Sequence, residues 1–134
     1  MTDVIVDTST WIASFRPTTN PILLDIMREL IRERRILIPG IILAELLRGA
    51  KNSKEVQFLR SVLNSQKYLP VEETFWLRLG YFTNDLLQQG LNVPLPDAYI
   101  ALLAIEKNVE LLHNDRHFDL IAGKSKLKIF KLAY

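Results

Sequence analysis

Val4-Ile5-Val6-Asp7-Thr8-Ser9-Thr10 is the stretch on which the fold turns. Three β-branched residues in a row favour an extended strand. The Asp-Thr-Ser-Thr run behind them is dense in side chains that accept hydrogen bonds from the first free N–H groups of a helix. A strand, a tight turn and a short helix over about Ser9 to Phe15 are therefore expected, with Asp7 at the carboxyl end of the strand. The same alternation continues outward. After a Pro17 to Pro21 loop, Ile22, Leu23, Ile26, Met27, Leu30 and Ile31 recur at helical spacing with charged residues between them, the pattern of a surface helix with one buried stripe. Ile36-Leu37-Ile38 is short and apolar enough for a strand buried on both faces, ended by Pro39-Gly40, and strands of that kind belong to parallel sheets.

Further along, Ile41 to Gly49 predicts a buried helix, since only Glu45 and Arg48 interrupt its apolar character. Asn52 and Glu55 have the spacing of a capping box for the next helix. A weak strand at Lys67 to Val71 precedes a longer helix over Glu72 to Gln89, closed by Gly90. Pro94 and Pro96 lead into Asp97 and an almost wholly apolar helix over Ala98 to Ile105. A strand at Glu110 to His113, a turn and short helix over Asp115 to Ala122, and a strand at Leu127 to Phe130 complete the pattern. Alternating strands and helices imply an α/β fold around a largely parallel sheet. A length of 134 residues fits one domain spanning residues 1–134.

Composition removes several chemistries. With no cysteine, disulfide scaffolds, zinc ribbons, iron–sulfur clusters and thiol nucleophiles are excluded. The five glycines are scattered and form neither a P-loop nor a dinucleotide fingerprint, and no nucleophile elbow is present. A formal charge of +2 permits a polyanionic partner without demanding one. No apolar run approaches the roughly 20 residues of a membrane-spanning helix, and the amino terminus lacks the basic head and apolar middle of a signal peptide. A cytoplasmic protein with no membrane partner is expected.

In an open α/β sheet, ligands bind at the carboxyl ends of strands, and the polar residues expected there are acids. Asp7 ends the first strand, Asp97 opens an apolar helix, Asp115 follows the Leu111-Leu112 strand, and Glu45 lies in a helix with little other polarity. Each has a plain structural explanation: helix caps for Asp7 and Asp97, a turn for Asp115, and for Glu45 an ion pair with Arg48 three residues on. Taken together, the four can converge on one pocket suited to a hard divalent cation such as Mg²⁺ or Mn²⁺. His113 and His117 lack a zinc-site spacing and read as packing or substrate-edge residues.

Val4-Ile5-Val6-Asp7-Thr8-Ser9, Ala44-Glu45-Leu46-Leu47-Arg48-Gly49, Pro96-Asp97-Ala98-Tyr99-Ile100-Ala101 and Leu111-Leu112-His113-Asn114-Asp115-Arg116-His117-Phe118 resemble, in order, the motifs of PIN-domain ribonucleases, above all the VapC toxins of toxin–antitoxin pairs. Successive acids stand 38, 52 and 18 residues apart, and the resemblance covers essentially the whole chain. It implies a three-layer α/β/α domain and a Mg²⁺- or Mn²⁺-dependent endoribonuclease. It also implies a homodimer neutralised by a VapB-type antitoxin. Carried over position by position, Asp7, Glu45, Asp97 and Asp115 are the catalytic acids. Asp7 and Asp97 are the metal ligands, with Glu45 and Asp115 as further candidates, and Thr8, Ser9 and His113 stand beside them. His113 departs from the Thr or Ser common in similar proteins. Arg48 is a candidate contact for RNA or the antitoxin. The clusters Arg28, Arg32, Arg34, Arg35 and Lys124, Lys126, Lys128, Lys131 are either phosphate contacts or solvated faces. The chemistry expected is hydrolysis of RNA phosphodiester bonds by a metal-activated water. The alternatives are a Mg²⁺-dependent phosphohydrolase acting on something other than RNA, and an inactive RNA-binding module.

Overall fold

A computed structural model describes residues 2–16 and 18–132 of the chain. Among them the elements run β1 (Val4–Val6), α1 (Thr8–Ser14), α2 (Pro21–Arg32), β2 (Ile36–Pro39), α3 (Gly40–Arg48) and α4 (Ser53–Asn64), followed by β3 (Lys67–Leu69), α5 (Glu73–Gln88), α6 (Leu95–Lys107), β4 (Glu110–Leu112), α7 (Arg116–Ala122) and β5 (Lys128–Ile129). Met1, Pro17 and residues 133–134 lie outside the described residues, and with Pro17 goes the first position of the expected Pro17 to Pro21 loop.

The five strands form one sheet in the order β3-β2-β1-β4-β5, every pair parallel. Parallel neighbours need crossovers, and crossovers are right-handed. From β1 the chain steps to β2 and β3 on one side, then returns across β1 to β4 and β5 on the other. That reversal puts the helices of the two halves on opposite faces. The packing agrees: α1 touches α2 and α3, and α3 touches α4, while α6 touches α5 and α7. The result is three layers, α/β/α. The central strands are buried on both faces, with Val4, Ile5, Val6, Ile36 and Leu111 all at 0% exposure, which is why they read as continuous apolar runs.

The order reverses between β1 and β4, and a crevice opens at such a switch point beyond the carboxyl ends of the strands. Asp7 N–H donates to Leu112 O at 3.0 Å across this junction, closing the two strand ends together. Whatever follows Val6 and Leu112 is thereby delivered to one place.

Several expected boundaries shift for local reasons. Pro39 belongs to β2, in register with Leu69, and Gly40 opens α3. The helix expected to be buried all round is so only at Ile42 and Leu46, leaving Ile41, Leu43 and Leu47 half-buried and Ala44 exposed. The α6 helix begins at Leu95 behind Pro94, so Asp97 sits inside its first turn and makes no capping hydrogen bond, contrary to the cap expected from the sequence. The α5 helix closes as expected: Gly90 takes φ 82°, and the N–H groups of Gly90 and Leu91 donate to Leu87 O and Leu86 O, a Schellman ending. Arg78 ties α5 to α6 through Glu106 at 2.7 Å and pairs with Glu72 at the start of its own helix at 2.9 Å. None of the helices described is long and apolar enough to cross a membrane.

Candidate active site

The acids named from the sequence line one cleft. Asp7, Thr8, Ser9, Ile12, Glu45, Asp97, Ile100 and Asp115 enclose about 240 Å³ at the switch point. Each acid arrives by a different local route. Asp7 caps α1, its Oδ1 accepting from Thr10 N–H at 2.9 Å while Ser9 Oγ donates to Oδ2 at 2.7 Å. Though it is only 3% exposed, each of its oxygens accepts a hydrogen bond, as a buried carboxylate needs. Glu45 projects from the middle of α3 and accepts from Thr8 Oγ1 at 2.7 Å. No ion pair joins it to Arg48 among the described residues, and Arg48 is exposed. Asp97 comes from the first turn of α6. Asp115 caps α7, accepting from His117 N–H at 2.9 Å.

Two histidines flank Asp115 and do different work. His113 Nδ1 accepts from Asp115 N–H at 3.1 Å, so its proton is on Nε2, which donates to Asp119 Oδ1 at 3.1 Å. His113 therefore positions the backbone of Asp115 and does not line the cleft. Asp119, largely exposed, serves as its anchor. His117 does not line the cleft either, but its ring meets two of the acids that do: Nδ1 lies 3.2 Å from Asp97 Oδ2 and 3.4 Å from Asp115 Oδ1. Asp97, Asp115 and His117 each offer one donor atom, all within 4.8 Å of one another. Both histidines were expected as packing or substrate-edge residues, and the structure brings the ring of His117 against two of the acids. The sequence carried no signal for the ring contact: the Asp115 cap fixes only the backbone N–H of His117, and Asp97 is 20 residues away.

Electrostatics follow from crowding. Burial, and then the negative charges of Asp115 and Asp7, push the Asp97 carboxyl above the ordinary aspartate range, against the downward pull of His117. Among the described residues no Lys or Arg pairs with any of the four cleft acids. Several carboxylates with no fixed positive partner form a site short of positive charge, and oxygen donors of this type suit a small divalent cation. The donor set therefore fits Mg²⁺ or Mn²⁺.

The arginines near α2 face elsewhere. Arg35 precedes β2 and bonds Thr2 O, and Arg34 bonds Ser65 O, at the amino ends of the strands and so opposite the cleft. Arg28 and Arg32 make exposed pairs with Asp25 and Glu29. These are structural ties and a solvated face. Lys128 bonds Asn108 at that same amino edge.

A PIN-domain family model matches residues 4–124. The chain belongs to the PIN-domain family. Within it, this PIN domain is 29% identical over 128 residues to the VapC ribonuclease Mb1587 of Mycobacterium bovis and to ribonuclease VapC11 of Mycobacterium tuberculosis, covering 93% of this chain and 96% of each relative. Its fold is shared with DNA-bound VapBC from Salmonella typhimurium (TM-score 0.79, 21% identity, 97% of this chain and 98% of that one). FitAcB from Neisseria gonorrhoeae is similar in the same way (TM-score 0.76, 22% identity, 96% of each chain).

One side chain outside the cleft holds this PIN-domain site in shape. Phe118 is 1% exposed and packs beside the His113 ring, at 5.3 Å between centroids. Phe118→Ala is expected to lower stability by about 3–5 kcal/mol and to unseat the α7 amino end that carries Asp115 and His117. Denaturant unfolding measures the first effect, and cation binding by calorimetry measures the second.

Proposed function

We propose that the chain is a metal-dependent endoribonuclease of the VapC type, the toxin of a toxin–antitoxin pair acting in the cytoplasm. The observation that carries this is the convergence of Asp7, Glu45, Asp97 and Asp115, from four separate elements of a PIN domain, on one cleft. Asp7, Asp97 and Asp115 would hold the cation, with Glu45 at the rim. When bound, a Mg²⁺ or Mn²⁺ supplies Lewis acidity toward the phosphodiester and toward the attacking water.

The chain's own residues prepare that site. Ser9 and Thr8 donate their hydroxyl protons to Asp7 and Glu45, which fixes both carboxylates in one orientation before any ligand arrives. Preorganised acceptors of this kind do not have to reorient during reaction. Ile12 and Ile100 form apolar walls that limit water around the acids. Burial raises the proton affinity of Asp97, so protons compete with the cation there and cation affinity falls on acidification. RNA is the favoured substrate because the relatives at 29% identity are ribonucleases by name. A panel of RNA, DNA flaps and small phosphoesters at fixed Mn²⁺ tests this: cutting of RNA alone supports it, and turnover of the small phosphoesters in its place overturns it.

The partner surfaces follow from two apolar depressions. Ile12, Phe15, Leu46, Phe58 and Leu59 line a groove of about 370 Å³ between α1, α3 and α4. It shares Ile12 and Glu45 with the acidic cleft, so a segment lying in it would reach the active site. This groove takes the VapB-type antitoxin. Phe58 is 55% exposed at its edge. Phe58→Asp is expected to weaken antitoxin binding at least about tenfold, the scale of an aromatic anchor, with RNA cleavage unchanged. Paired affinity and cleavage measurements check it. A second apolar depression, lined by Ile41, Trp76, Leu79, Leu95 and Tyr99, is assigned to a second copy of the chain in a homodimer. Sedimentation of wild type against Trp76→Glu tests that assignment.

A further inference from the structure

We propose that His117, through Nδ1, is itself a ligand of the cation, making the centre a mixed nitrogen and oxygen site that favours Mn²⁺ over Mg²⁺. This rests on the reading of the cleft as a metal centre and goes beyond it. Position comes first. His117 Nδ1 is 3.2 Å from Asp97 Oδ2 and 3.4 Å from Asp115 Oδ1. Neighbouring donors around an octahedral ion with bonds of about 2.1 Å stand about 3 Å apart. The two distances from Nδ1 thus already match the spacing of neighbouring ligands on one ion, and all three donor atoms lie within 4.8 Å of one another.

The backbone that carries the ring is also held there. His117 is the second residue of α7, and its own N–H donates to Asp115 Oδ1 at 2.9 Å. That bond fixes the residue against the carboxylate it would share the ion with. His113 provides the contrast. Its nitrogens are held by Asp119 and by the N–H of Asp115, whereas His117 Nδ1 meets the acids Asp97 and Asp115 themselves, and the ion would replace that contact with the ring proton on Nε2. Chemistry then decides the preference. Oxygen-only sites suit Mg²⁺, whereas imidazole nitrogen favours later and softer divalent ions. Replacing one oxygen donor by Nδ1 raises Mn²⁺ relative to Mg²⁺.

The chain contains two histidines, so a nitrogen bound to the ion can be assigned by elimination. The experiment is pulsed electron paramagnetic resonance of Mn²⁺ bound to the full, metal-stripped chain, together with calorimetric titrations of Mn²⁺ and Mg²⁺. The expected result is a directly coordinated nitrogen coupling in wild type and in His113→Gln that is absent in His117→Gln. The Mn²⁺ affinity of His117→Gln is expected to fall at least about tenfold, with a smaller loss for Mg²⁺. Bound Mn²⁺ with an oxygen-only spectrum in wild type would overturn the proposal, reducing His117 to a hydrogen-bond donor to the two acids while the metal-nuclease reading stands. A nitrogen coupling that persists in His117→Gln would overturn it equally. Failure of wild type to bind Mn²⁺ at all would overturn both.

Discussion

Saturating Mn²⁺ is expected to raise the melting temperature of the metal-stripped chain by about 10 °C. A ligand present at 100 times its dissociation constant stabilises the native state by about 2.7 kcal/mol, and in a domain of this size each kcal/mol moves the midpoint by a few degrees. The gain is large here because the cleft acids have no Lys or Arg partner among the described residues, so the cation relieves repulsion that the metal-free fold carries. Asp7→Asn is the informative control. Asn is as good a helix cap as Asp, so the hydrogen bond from Thr10 N–H can be kept while one charge is removed. Asp7→Ala loses the cap as well, at a further cost of about 1 kcal/mol. In Asp7→Asn the shift with Mn²⁺ should largely vanish while the metal-free midpoint holds or rises. Scanning calorimetry with and without the cation reads both.

Asp97→Asn is expected to reduce RNA cleavage by about 10²–10³-fold or more, the scale of removing one preorganised electrostatic group, while making the metal-free chain more stable. The two effects share one cause. Burial and the charges of Asp115 and Asp7 raise the folded pKa of Asp97 above its ordinary value of 3.8. The native state therefore binds this proton more tightly than the unfolded chain does. Its contribution to stability is complete below the ordinary aspartate range and is lost as pH rises through the raised folded value. Asn carries no charge at any of these pH values. Metal-free unfolding from acid to neutral pH should thus show wild type declining where Asp97→Asn is flatter. Added cation should reverse the order, stabilising wild type and leaving the variant unmoved.

Features carried by neighbouring residues were the legible ones. Val4-Ile5-Val6 followed by Asp7-Thr8-Ser9-Thr10 yields β1, the Asp7 cap and α1 within one residue of the expected limits. Asn52 and Asp115 cap the helices expected to follow them. Parallel pairing was readable because buried strands leave no polar face in their sequence. The resemblance to PIN-domain ribonucleases, carried by four short motifs in order, agrees with the family match over residues 4–124. Contacts set by tertiary packing were hidden. Thr8 takes Glu45 from 37 residues away, where the local pattern offered Arg48. Behind Pro94, α6 starts at Leu95 with Pro96 in its first turn, because proline fits the start of a helix, and this leaves Asp97 inside the helix and free of capping. The ring of His117 meets Asp97 across 20 residues, and no spacing within Asn114-Asp115-Arg116-His117 announces that. The apparent burial of α3 misled because an apolar residue facing a groove reads the same as one facing the core, as Ile41 and Ala44 do.

The central claim is that the acidic cleft cuts RNA with a divalent cation. Its most direct test is to incubate the metal-stripped chain with a mixed tRNA and rRNA pool and map the 5′ ends produced, first with EDTA and then after adding back Mn²⁺ or Mg²⁺. Discrete cuts that appear only on adding the cation are the predicted result. RNA left intact at cation concentrations where calorimetry shows the site filled, or cutting that persists in EDTA, would contradict it.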